Sequence, residues 1–85
     1  MRAIVLVGHR HECPMHGTGT VASGDPEATS DGRAIARIGD TTSCGATITT
    51  GSTDFTLNGR GVARQGDRTS HDGILPEGDP DMMTD

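Results

Sequence analysis

The sequence predicts an all-β fold made of three units of short strands and turns, set around a pseudo-three-fold axis. Three observations carry this. The chain repeats itself at an offset of 27 residues, Gly24 to Gly51 to Gly78. Its apolar residues alternate or fall in short runs, and no apolar stripe of period 3.6 reaches helical length. Turn dipeptides punctuate each unit.

Composition sets the frame. Eighty-five residues make one small domain, expected to span 1–85. A chain of this size buries a modest share of its surface. It is also poor in core material, with one Phe, no Tyr, no Trp, 31% hydrophobic residues and thirteen Gly. Backbone ordering costs roughly 1–2 kcal/mol per residue, so a thin core calls for a staple or a partner. The net charge of −5 and pI near 5.1 disfavour nucleic acid as a partner. The opening RAIVLV is too short for the core of a secretory signal and far too short to cross a bilayer. The expected setting is therefore a reducing cytosol, where two cysteines more often bind metal than form a disulfide.

The first full unit is GDPEATSDGRAIARIGD, residues 24–40; the second is GSTDFTLNGRGVARQGD, residues 51–67. Eight of their seventeen positions match: Gly24, Thr29, Gly32, Arg33, Ala36, Arg37, Gly39 and Asp40 against Gly51, Thr56, Gly59, Arg60, Ala63, Arg64, Gly66 and Asp67. The third unit is split between the termini. GDPDMMTD (78–85) resembles GDPEATSD (24–31), and AIVLVGHRHEC (3–13) resembles AIARIGDTTSC (34–44). The two ends are thus expected to close on each other.

Within each unit FTLNGRGVARQGD and ATITTGS read as alternating strand segments. Asp31-Gly32 and Asn58-Gly59 read as hairpin turns, because Gly and Asn tolerate positive φ. The Gly-Asp pairs at 39–40 and 66–67, and Gly51-Ser52, read as further tight turns.

Cysteine and histidine fall at one repeat phase. The fifth residue after Gly8, Gly39 and Gly66 is Cys13, Cys44 and His71. Three equivalent positions about one axis converge on a point and supply three ligands. The first unit carries a four-residue insertion, PMHG, which adds His16 in Cys13-x-x-His16. A closed set of two thiolates and two imidazoles, Cys13, His16, Cys44 and His71, suits a structural Zn²⁺ with no position left for a catalytic water. Such an ion contributes folding free energy directly. Other readings stay open. A Cys13–Cys44 disulfide fits the spacing. His11, two residues before Cys13, could replace a ligand, as could His9, although His9 occupies the turn phase of Asp40 and Asp67. Cys–His catalysis needs a base oriented by a third group, and nothing marks one.

Ala28, Phe55 and Met82 share one phase, with Leu57 and Thr84 at another; they read equally as a small core or as an exposed partner face. Arg33, Arg60, Arg37 and Arg64 recur in phase with Asp40 and Asp67. They are expected to form surface ion pairs worth under about 1 kcal/mol each.

DGRAIARIGD, NGRGVARQGD, SCGATITTGS, CPMHG and TSHDG together resemble the PAAR-repeat proteins, named for a Pro-Ala-Ala-Arg segment. Here that segment reads Ala34-Ile35-Ala36-Arg37 and Gly61-Val62-Ala63-Arg64, without the proline. The resemblance spans nearly the whole chain. It implies a small β cone with zinc near its apex, held by Cys13, His16, Cys44 and His71, with His11 still a candidate. It also implies a structural, non-enzymatic role as the tip that caps the trimeric VgrG-type spike of a bacterial type VI secretion system, or a related phage-like tail, and sharpens it to pierce a target membrane; the alternative reading is a small zinc-binding module with an enzymatic or sensing role. Such a tip waits in the bacterial cytoplasm and is injected with the spike. Any effector would ride as a separate protein.

Overall fold

The structure, a computed structural model, describes residues 2–14, 17–30 and 32–84. All regular elements among them are short strands: β1 (Arg2–Ile4), β2 (Arg10–Cys13), β3 (Gly17–Thr20), β4 (Asp25–Ser30), β5 (Arg33–Ile35), β6 (Thr56–Leu57), β7 (Arg60–Gly61) and β8 (Asp79–Thr84). They form four antiparallel pairs, β1–β8, β2–β3, β4–β5 and β6–β7. No helix of the structure is long and apolar enough to cross a membrane.

The split unit closes as the repeat predicts. β8 pairs with β1 through Thr84 opposite Arg2 and Asp79 opposite Ile4, with a bulge between. β4 pairs with β5 in the same register, Ser30 opposite Arg33 and Asp25 opposite Ile35, again with a bulge. The middle unit repeats this in shorter form, with Leu57 opposite Arg60 and Thr56 opposite Gly61. Its turn has Asn58 at φ 54 and Gly59 at φ 78, the doubly left-handed turn that suits the twist of a two-residue hairpin.

Hydrogen bonds between units run in closed cycles. Val5 N donates to Ala63 O (3.0 Å), Ala63 N to Ala36 O (2.9 Å), and Ala36 N to Val5 O (3.0 Å). A second cycle joins Val7 N to Ala34 O, Ile38 N to Gly61 O and Gln65 N to Ala3 O at 2.7–2.9 Å. Backbone groups buried at the axis are thereby paired without a conventional sheet. The segment 46–52, expected as a strand, makes only isolated bridges such as Ile48 to Thr69. Its partners are split between its own unit, where Ile48 N donates to Asp40 O at 2.9 Å, and the next, where Ser52 N donates to Val62 O at 2.8 Å, so no ladder runs along it.

The apolar residues form two layers. Val5, Ala36, Ala63, Val21, Ile48 and Leu75, all at most 1% exposed, make one cluster. Ile4, Leu6, Ile35 and Val62 make the other, with half-buried Ala28, Phe55, Leu57 and Met82 packed against them. These last four therefore flank the core, while Thr84 is buried with its hydroxyl 3.4 Å from that of Ser52. Among the described residues the exposed large apolar side chains are Ile74 and Met83.

Each unit is strapped to the next by an arginine. Arg2 Nε donates to Gln65 O (3.0 Å), Arg33 Nε to Val7 O (2.9 Å) and Arg60 Nε to Ile38 O (2.9 Å). Arg2 and Arg60 continue to Asp67 (3.1 Å) and Asp40 (3.2 Å). Each guanidinium passes over a left-handed glycine: Gly66 at φ +91, Gly8 at +94 and Gly39 at +94. The left-handed φ is what favours glycine at all three.

Two expectations are corrected. Arg37 is not in a surface pair: its side chain is 9% exposed and lies 3.2 Å from Asp40 and 3.5 Å from Asp25, each 6% exposed. The three-carbon stem of the side chain takes its charge inward, where paired acids receive it. Arg64 sits likewise half-buried on Asp67 at 3.0 Å. Burial acts to raise the Asp67 pKa, but hydrogen bonds from the Arg64 side chain and backbone and from Thr50 outweigh it and hold it below the usual value. Gly51 is also not a left-handed turn residue. A Cβ on it would lie 2.9 Å from the carbonyl oxygens of Gly61 and Val62; it is glycine because strands pass too closely for a side chain.

Candidate metal centre

The candidate site is built from three equivalent turns. Each follows a left-handed glycine and crosses to its neighbour by a backbone bond: Glu12 N to Ile74 O (2.9 Å), Ser43 N to Thr20 O (2.8 Å) and Ser70 N to Thr47 O (2.8 Å). The next residues in these segments are Cys13, Cys44 and His71. Their ligand atoms lie within 4.8 Å of one another. His71 Nδ1 is 3.8 Å from Cys13 Sγ and 3.9 Å from Cys44 Sγ. Cys13 is buried, Cys44 and His71 half-buried. The two sulfurs are not joined in a disulfide.

Two soft sulfur donors and an imidazole nitrogen meeting at one point could hold a metal ion. Electrostatics favour the ligating form of Cys44. Its thiol is drawn down to about 5, chiefly by the Thr42 hydroxyl 3.3 Å away, against partial burial, with the Ala46 backbone, His71 and Cys13 lowering it further. Thiolate is the state that binds metal.

His11, the alternative ligand, also reaches the cluster. It is fully buried, its Nε2 is 2.8 Å from Thr69 Oγ1, and its Nδ1 is 3.8 Å from Cys44 Sγ. It stands at the repeat phase of Thr42 and Thr69, both buried. A Cβ on Gly73 would press on His11 Nε2 and Thr69 Oγ1, so the glycine leaves room for the ring. Sequence reasoning named His11 but missed its contact with Thr69; the signal was His11, Thr42 and Thr69 at one offset of the repeat.

His9 is apart from the cluster. Its Nδ1 accepts from Leu6 N at 3.0 Å, as Asp40 Oδ2 accepts from Arg37 N (2.8 Å) and Asp67 Oδ2 from Arg64 N (2.7 Å). It is the turn residue its phase predicted. His16 lies outside the described residues.

An all-β, pseudo-three-fold chain whose equivalent positions bring two cysteines and a histidine together defines a class of small repeat proteins. The model of the PAAR motif family matches residues 1–50. The chain belongs to that family, as the resemblance implied. The matched part includes Cys13 and Cys44, and the repeat carries the pattern on to His71. No curated protein matches the sequence. The PAAR motif is associated with the spike tips of type VI secretion systems, a structural family rather than an enzyme family.

Proposed function

We propose that the protein is the zinc-stapled tip of a contractile injection machine, capping a trimeric VgrG-type spike. The observation that carries this reading is the closed three-unit backbone: one chain whose strand pairs, hydrogen-bond cycles and arginine straps repeat around an axis. Such a chain matches the symmetry of a homotrimer while remaining a single copy. A β-helical trimer ends in open strand edges, which need a cover. The half-buried Ala28, Phe55, Leu57 and Met82 flank the core layer formed by Ile4, Leu6, Ile35 and Val62, and they are the side chains offered to the trimer.

Cys13, Cys44 and His71 would hold Zn²⁺, with His16 as the fourth donor on the strength of its Cys-x-x-His spacing. The ion supplies rigidity and folding free energy rather than a reaction. The protein waits in the bacterial cytoplasm and leaves with the spike; effectors travel as separate chains, and nucleic acid is not a partner. A phage-like tail would use the same cap.

Metal analysis of purified protein should find about one zinc per chain. Chelation, Cys44→Ser and His71→Ala should each strip the metal and lower the melting temperature. A zinc-free protein with unchanged melting overturns the staple. Co-purification with a VgrG-type trimer at one chain per trimer supports capping, and a trimer that leaves the chain in the flow-through overturns it.

A further inference from the structure

We propose that Cys13 and Cys44 are also an oxidation site, forming an intramolecular disulfide that displaces the metal from the apex. The inference rests on the zinc reading above and adds a redox control to it. The two sulfurs lie within 4.8 Å of each other, and a disulfide spans about 2.05 Å, so less than about 3 Å of approach closes the bond. Both cysteines sit where the chain can yield. Cys44 is inside a tight turn, with Gly45 N donating to Thr42 O at 3.0 Å and Gly45 at φ +87. Cys13 is the last residue of β2. Access differs between them: Cys44 is half-exposed, whereas Cys13 is 3% exposed and borders a groove lined by Pro14, Thr18, Asp72 and Ile74.

The chemistry needs a two-electron oxidant, of which hydrogen peroxide is the simplest. The Cys44 sulfur attacks a peroxide oxygen, the O–O bond breaks, and water leaves, giving a sulfenic acid at Cys44. The Cys13 sulfur then attacks that sulfur, expelling its hydroxyl as a second water. Two zinc-bound thiolates, one peroxide and two protons from solvent become one disulfide and two waters, and the zinc leaves as the unchanged divalent ion. The site loses both anionic donors at once, and the His71 imidazole is left without a thiolate beside it. Because Cys13 and Cys44 belong to different units of the repeat, the new bond links those units where the metal had linked them.

The test treats zinc-loaded wild-type protein with hydrogen peroxide. Zinc release is read by a chromogenic chelator, intact mass by mass spectrometry and linkage by peptide mapping under non-reducing conditions. The expected result is stoichiometric zinc release, a mass lower by two hydrogens, a Cys13–Cys44 peptide, and recovery of zinc binding after reduction. In Cys13→Ser the oxidation should stop at a sulfenic acid on Cys44 that dimedone traps. Retention of zinc through peroxide, release accompanied by added oxygens, or disulfides between chains would each overturn the inference. Reduced protein that takes up no zinc before any peroxide is added overturns the zinc reading instead, and the starting assay tells the two apart.

Discussion

At the residue scale the informative positions are those where one unit departs from the other two. Asp40 and Asp67 each accept a turn hydrogen bond and receive an arginine strap from the neighbouring unit. In the split unit that position is His9. It keeps the turn bond through Nδ1 but cannot take the Arg33 guanidinium. Its pKa is lowered, chiefly by burial and next by Arg33, with Glu77 and Asp79 opposing. A histidine that stays neutral longer when folded binds its proton first in the unfolded chain. Stability is therefore greatest above the unfolded pKa of about 6.5 and falls as pH drops through it. His9→Asp should complete the third strap, raising stability by up to about 1 kcal/mol and flattening the loss between pH 7.5 and 5.5. Thermal melts of both proteins across that range check this; parallel curves contradict it. Arg37 and Arg60 make a second comparison. Arg37→Met leaves buried Asp25 without its arginine and Asp40 with Arg60 alone, and should cost about 3–5 kcal/mol in urea unfolding. Arg60→Met removes a pair whose arginine is 42% exposed and should cost under about 1 kcal/mol.

At the scale of elements, much was legible beforehand and some was not. Asn58-Gly59 announced its hairpin through the backbone freedom of two residues, a local property. The Cys13, Cys44 and His71 cluster was legible because equal offsets in a repeat imply equal places in space. The strand expected over 46–52 was not formed, because alternation reports which side chains are buried and says nothing about which backbone they meet. The inward turn of Arg37 was also hidden: its chemistry is that of a surface residue, and only the convergence of Asp25 and Asp40 from separate segments alters that. Gly51 looked like a turn glycine, and its real constraint, two carbonyl oxygens of the next segment, is a tertiary one. Gly51→Ala should accordingly cost about 1–3 kcal/mol through overpacking, with no change in metal content. Urea titration with parallel zinc analysis checks it, and a neutral effect would show that the crossing strands can part.

For the whole molecule, the governing fact is that β8 returns to β1. Arg2 and Thr84 face each other across a strand pair, so the ends of the chain meet inside a unit, not between units. A circular permutant joined there by a short Gly/Ser linker and opened at Asn58-Gly59 should fold, bind the same metal and melt within a few degrees of the parent. Circular dichroism and zinc content decide the matter, and a permutant that stays unfolded would mean the native opening is needed for folding.

The cycle through Val5, Ala36 and Ala63 has no first or last member. A thrust along the axis is divided among three amide contacts of nearly equal length, and none can be singled out to give way before the others. Peeling, the usual failure of a small sheet under force, has no free margin there from which to begin.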